Sequence, residues 1–146
     1  MMRIISIAVV DDNPVQNKLT IEKLDQISRL NKFEKVNLMT KEYLSGMDLL
    51  HAKQTYDLII MDYDMPVMNG IEVAEELTKR GSNTKLIFLS GYDDILRPLQ
   101  KSTSSKLIRG FVFKTDPTEE FQHHVINVLE EILDVHFITI RHYEEL

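Results

Sequence analysis

The sequence predicts a doubly wound α/β domain: a parallel sheet with helices on both faces. Three observations predict it. Short apolar, β-branched runs alternate along the chain with longer polar–apolar stretches. The runs show little polar alternation, as strands buried on both faces require. The 146 residues, 43% of them hydrophobic, suit one domain with a single core.

Taken in order, the strand-like runs are Ile4–Val10, Val36–Thr40, Leu58–Met61, Leu86–Leu89 and Ile108–Phe113. Five helical stretches follow them: Pro14–Leu30, Leu44–Lys53, Ile71–Lys79, Asp94–Ser105 and Thr118–Leu133. Asn13-Pro14 supplies an N-cap and a proline at the first helical position. The first helix carries apolar residues all round, which predicts a second buried or partner-facing flank, or fraying toward Leu30. Ile71, Ala74 and Leu77 carry the short third helix, and Gly81 stands where a C-terminal cap belongs. Pro98 falls inside the fourth stretch, so that helix should start near it or kink. Phe121, Val125, Val128, Leu129, Ile132 and Leu133 recur at helical spacing and form one stripe. The domain is therefore expected over residues 1–134. Residues 135–146, with strand-like Phe137, Ile138 and Ile140, form an extension: an edge strand, a dimer element or the start of an output domain.

Composition excludes several classes. Lys plus Arg is 17 against 23 Asp plus Glu, a net charge of −6, without the basic footprint of a dedicated nucleic-acid binder. There is no cysteine for disulfides, thiolate metal sites or thiol nucleophiles. Apolar runs fall far short of the roughly 20 residues that span a membrane. The chain opens on a strand rather than a signal peptide, so a soluble cytoplasmic protein is expected.

Ligands of an open parallel sheet bind outside the carboxyl ends of its strands. Strand one ends in Asp11-Asp12, strand three in Asp62, strand four in Ser90 and strand five in Lys114. Three carboxylates brought together repel and raise one another's pKa values. A hard divalent cation, Mg²⁺ or Mn²⁺, relieves that repulsion. With a metal at Asp11 and Asp12, Asp62 stays ionised as a nucleophile for a phosphoryl group. The metal, the Lys114 ammonium and the Ser90 hydroxyl suit the charge spread over phosphoryl oxygens. The set reads as a metal-dependent aspartyl-phosphate site.

These residues resemble the receiver domain of two-component response regulators. The resemblance rests on Val9-Val10-Asp11-Asp12-Asn13, on Tyr56 through Pro66 with Asn69-Gly70, on Leu89-Ser90-Gly91, and on Gly110 through Lys114. It implies a flavodoxin-like three-layer fold, with strand order 2-1-3-4-5 and five helices. It implies that Asp62 takes a phosphoryl group from a histidine kinase or phosphotransfer protein. Asp12 is then the direct metal ligand, Asp11 acts through water, and the backbone carbonyl of Asp64 completes the shell. Lys114 pairs with the phosphoryl group, and Ser90 with Phe111 forms the switch. A receiver of this kind is a phosphoacceptor that assists its own chemistry, not an enzyme turning over an external substrate. Three positions depart from the usual pattern. Thr115 replaces a proline that commonly follows a cis bond, Phe111 replaces the commoner tyrosine, and Asp64 adds a fourth rim carboxylate.

Two other readings compete. Asp62-Tyr63-Asp64 also suits a haloacid-dehalogenase-like phosphatase, although there the nucleophile lies on the first strand. A pseudo-receiver acting only as an interaction module is weakened because no member of the site is missing. Charge is segregated late in the chain. Arg97, Lys101, Lys106, Arg109 and Lys114 precede a stretch dominated by Glu119, Glu120, Glu130, Glu131, Asp134, Glu144 and Glu145. This predicts either a symmetric homodimer through the fourth helix, last strand and last helix, or ion pairs inside one chain. Neither nucleic-acid contact by this domain nor membrane contact is expected.

Overall fold

In a computed structural model, which describes residues 2–91 and 106–144 with side chains to residue 134, the chain forms one parallel five-stranded sheet. The elements run β1 (Arg3–Val10), α1 (Pro14–Ser28), one 3-10 turn (Asn31–Phe33), β2 (Val36–Tyr43), α2 (Gly46–His51), β3 (Leu58–Asp62), α3 (Gly70–Lys79), β4 (Lys85–Ser90), β5 (Ile108–Phe113) and α4 (Thr118–Glu144). The order across the sheet is β2-β1-β3-β4-β5, with every pairing parallel, as expected. Among the described residues there are four α-helices. The expected helix at Asp94–Ser105, with its Pro98, lies outside them.

Alternation of side chains divides β1 between two apolar layers. Ala8 and Val10 join Met61, Val73 and Phe88 on one face, and Ile5, Ile7 and Val9 join Leu24, Ile60 and Leu129 on the other. All five residues of β3 are buried, which explains its unbroken apolar run up to Asp62. Each such side chain contributes roughly 1.5–3 kcal/mol by leaving water.

Local signals set the helix ends. Asn13 caps α1 by accepting the Val15 N–H at 3.0 Å, with Pro14 in the first turn. The inward stripe of α1 is Asn17, Thr20, Leu24 and Ile27, half of it polar. Val15, Leu19 and Leu30 stay exposed, and the helix ends at Ser28. Helix α3 opens on a capping box in which Asn69 and Glu72 each accept the other's backbone N–H. It closes at Gly81, φ +73°, where Gly81 N–H bonds Thr78 O and Ser82 N–H bonds Leu77 O. That pair of bonds is a Schellman motif, and its left-handed position favours glycine.

The extension corrects one expectation. Its residues through Glu144 continue α4 as helix rather than starting an edge strand. Phe and Ile favour strands only weakly, and no Gly or Pro interrupts the chain from Thr118 to Glu144. Adding residues to a helix already nucleated is therefore favoured.

Candidate functional site

The chain leaves β1 outward to β2 and returns to β3 on the other side of β1. The crevice at this reversal, outside the carboxyl ends of β1 and β3, is where a doubly wound sheet receives ligands. Asp11 and Asp12 follow β1, and Asp62 is the last residue of β3. The three carboxylates each place one oxygen within 4.8 Å of the others. Asp11 and Asp62 are 3% and 5% exposed, whereas Asp12 faces solvent.

Lys114, just past β5, reaches into this cluster. Its Nζ lies 2.9 Å from Asp11 Oδ2 and 3.4 Å from Asp62 Oδ1. The Asp62 carboxyl is pushed up to about 6, by burial first and the Asp11 charge second. Lys114 and the Asp64 N–H oppose that rise without cancelling it. For Lys114 burial acts downward, but hydrogen bonding and attraction to Asp11 and Asp62 hold the ammonium above its ordinary range.

The donor set fits a divalent cation. Three carboxylates face one ammonium, an excess of negative charge in a half-dry crevice. Asp11 Oδ1 is engaged by the Asn13 N–H at 2.9 Å. Asp11 Oδ2 is buried, with the Lys114 ammonium 2.9 Å away and no other polar partner among the described residues. An all-oxygen set of three clustered carboxylates suits a hard ion such as Mg²⁺ or Mn²⁺.

Of the other expected residues, Ser90 and Asp64 lie at the rim and Phe111 lies farther back on β5. Ser90 ends β4 fully buried, and its carbonyl accepts the Lys114 N–H at 2.8 Å, tying the ends of β4 and β5 together. Asp64 is exposed, and its N–H lies 3.4 Å from Asp62 Oδ1. Phe111 is half-buried on β5, with its ring stacked on Phe88. The described residues contain no cis peptide, so the Lys114–Thr115 bond is trans. A tight turn holds this loop instead, because Asp116 N–H bonds Phe113 O and Phe113 N–H bonds the Asp116 carboxylate, both at 3.0 Å.

Two supporting residues escaped the sequence reading. Asn17 is fully buried and donates to the carbonyls of Asp11 and Tyr43, at 3.2 and 3.1 Å. It thereby fixes the chain that carries Asp11 against the end of β2. Asp116 holds the Lys114 loop. A polar residue on the inward stripe of α1 was the available signal for Asn17. Among the late acidic residues, Glu131 pairs with Arg109 at 3.0 Å and Glu130 pairs with Lys32.

Fold and rim together define a class, a doubly wound signalling domain with an acidic rim faced by a lysine. The chain belongs to the response regulator receiver domain family, whose model matches residues 7–126. It is 47% identical over 51 residues to YvfU of Bacillus subtilis, an uncharacterized transcriptional regulatory protein, covering 34% of this chain and 26% of that one. It is 36% identical over 78 residues to two-component response regulator 24 of Arabidopsis thaliana, covering 53% of this chain and 52% of that one. The chain thus spans from a quarter to about half the length of these two curated relatives. Among solved structures it is similar to the BeF3-activated DrrB receiver domain, with TM-score 0.70, 25% identity, and 89% and 99% of the two chains covered. It is also similar to TrrA of Thermotoga maritima in complex with Mg²⁺-BeF, with TM-score 0.68, 28% identity, and 87% and 99% covered. No helix among the described residues is long and apolar enough to cross a membrane.

Proposed function

We propose that this receiver accepts a phosphoryl group on Asp62 from the phosphohistidine of a sensor kinase or phosphotransfer protein. The observation that carries the reading is the rim itself: three carboxylates within 4.8 Å of one another, faced by Lys114. An Asp62 oxygen forms the new O–P bond as the donor's P–N bond breaks, and the bonding pair leaves with the imidazole nitrogen. Asp11, Asp12, Asp62 and the carbonyl of Asp64 would hold Mg²⁺ or Mn²⁺. Held there, such an ion would offset charge on the phosphoryl oxygens and favour the ionised form of Asp62. Lys114 trades its contact with Asp62 for one with the phosphoryl group. Ser90 turns its hydroxyl toward the new dianion, and Phe111 turns inward, changing the β5–α4 face. Exposed Val15 and Leu19, on the turns of α1 that follow Asp12, offer apolar surface to a docking donor.

Acetyl phosphate with Mg²⁺ tests the reading. Intact mass should show one phosphoryl group per chain, lost in Asp62→Asn and when Mg²⁺ is chelated. Uptake unchanged in Asp62→Asn overturns it. Homodimerisation through the β5–α4 face is a separate proposal, since Arg109, Glu130 and Glu131 already have partners in the same chain. A monomer by sedimentation with and without beryllofluoride rejects it.

A further inference from the structure

The rim connects to Phe111 by a second route that uses none of the charged groups. Tyr63, the residue after Asp62, meets Phe88 edge to face, with ring centroids 6.3 Å apart and planes at 85°. Phe88 in turn stacks on Phe111, at 6.0 Å and 25°. Phe88 is fully buried, while Tyr63 and Phe111 are half-buried, so the middle ring touches both neighbours without access to water.

The backbone holds each link. Tyr63 N–H bonds Leu89 O at 3.0 Å, and Tyr63 O accepts the Gly70 N–H at 2.9 Å, pinning this residue between β4 and α3. A Cβ on Gly70 would come within 2.5 Å of the Phe88 ring and 3.2 Å of Tyr63 Cα, so only glycine leaves room for this packing. On the other side, Phe88 and Phe111 are direct cross-strand partners. They are so because the register shifts between Leu86 and Ile87: Leu86 pairs with Ile108, but Ile87 pairs with Gly110. Without that extra residue Phe111 would stand opposite Leu89, on the other face of the sheet.

We infer that Tyr63 and Phe88 are positioning residues for Phe111, a packed aromatic chain through which the state of Asp62 biases the Phe111 ring alongside Ser90. The inference rests on the proposed role of Phe111 as the switch. Aromatic pairs favour a few discrete arrangements, so a displaced Tyr63 edge changes which ring orientation Phe88 supports. Phe88 then presents a different surface to Phe111.

NMR of protein with labelled phenylalanine rings tests this in metal-free, unphosphorylated protein, where it does not depend on phosphoryl uptake. Tyr63 is half-exposed and its ring stands one residue away from Phe111 in the packing. Tyr63→Leu should shift the populations of the Phe111 ring by roughly two- to tenfold. In a Phe88→Leu background the same change should have no effect on Phe111. An equal effect in both backgrounds, or none in either, overturns the inference. Should Phe88→Leu fold poorly, Phe88→Met keeps the comparison, because an unbranched thioether fills the space without a ring face. A wild-type chain that takes up no phosphoryl group from acetyl phosphate defeats the proposed function, while the ring coupling is still decided by the NMR comparison.

Discussion

Strand β3 carries an aspartate at each end, and the two have opposite surroundings. Asp57, just before the strand, accepts the Ser6 N–H and hydroxyl on Oδ2 at 2.9 and 3.2 Å. Its own N–H bonds Ser6 O, and its carbonyl accepts the Lys85 N–H, so it clips the middle of β1 to the amino ends of β3 and β4. Asp62, at the other end, has among the described residues only 3.4 Å contacts with Lys114 and the Asp64 N–H, and it sits against Asp11. A part-buried carboxylate supplied with donors is a structural clip. One short of donors and crowded by like charge is held ready for a cation or a phosphoryl group.

The largest expected effect tests that contrast directly. Asp62→Asn should abolish phosphoryl uptake from acetyl phosphate. Asp57→Ala should leave uptake within about threefold but lower stability by about 1–3 kcal/mol, because Ser6 loses its acceptor. Exchange of these two outcomes would break the comparison. Lys114→Ala should slow uptake by about 100-fold, measured as the initial rate by intact mass, since it removes a preorganised cation facing the phosphoryl oxygens.

The titration of Asp62 sharpens the comparison further. Its pKa is raised from 3.8 to about 6, so the folded protein holds that proton more tightly than the unfolded chain. Metal-free stability contributed by this group is therefore full below pH 3.8 and falls as pH rises through 6, by on the order of 2 kcal/mol. Urea unfolding in EDTA at pH 4.5 and 7 should show this loss in the wild type and not in Asp62→Asn. Added Mg²⁺ should shrink it. The smallest effect belongs to the loop: Asp116→Ala should cost about 1 kcal/mol and slow uptake about two- to fivefold by loosening the turn that carries Lys114. An unchanged rate would show that the Lys114–Ser90 bond alone positions the ammonium.

The rim was legible because its members close strands. Asp11, Asp12, Asp62, Ser90 and Lys114 each follow an apolar run, and parallel strands bring such positions to one edge. Supporting groups were harder to read. Asn17 and Asp116 act through carbonyls and N–H groups that local pattern does not reveal. The stretch after Asp134 misled, because Phe137, Ile138 and Ile140 have strand-like character while the preceding helix propagates through them.

By itself the sequence determined the layers, the order of elements and the convergence of three carboxylates with one lysine. Each follows from period, spacing and chain order, which are local quantities. Only the tertiary structure decided three further matters. The Leu86/Ile87 register shift put Phe111 opposite Phe88. Ion pairs with Arg109 and Lys32 formed inside one chain. Asp57 was supplied with donors, whereas Asp62 was set against Asp11 with its pKa raised. These depend on which groups meet through space and how much water lies between them. The charge, the ring packing and the strand register of one element are set by its neighbours rather than by its own residues.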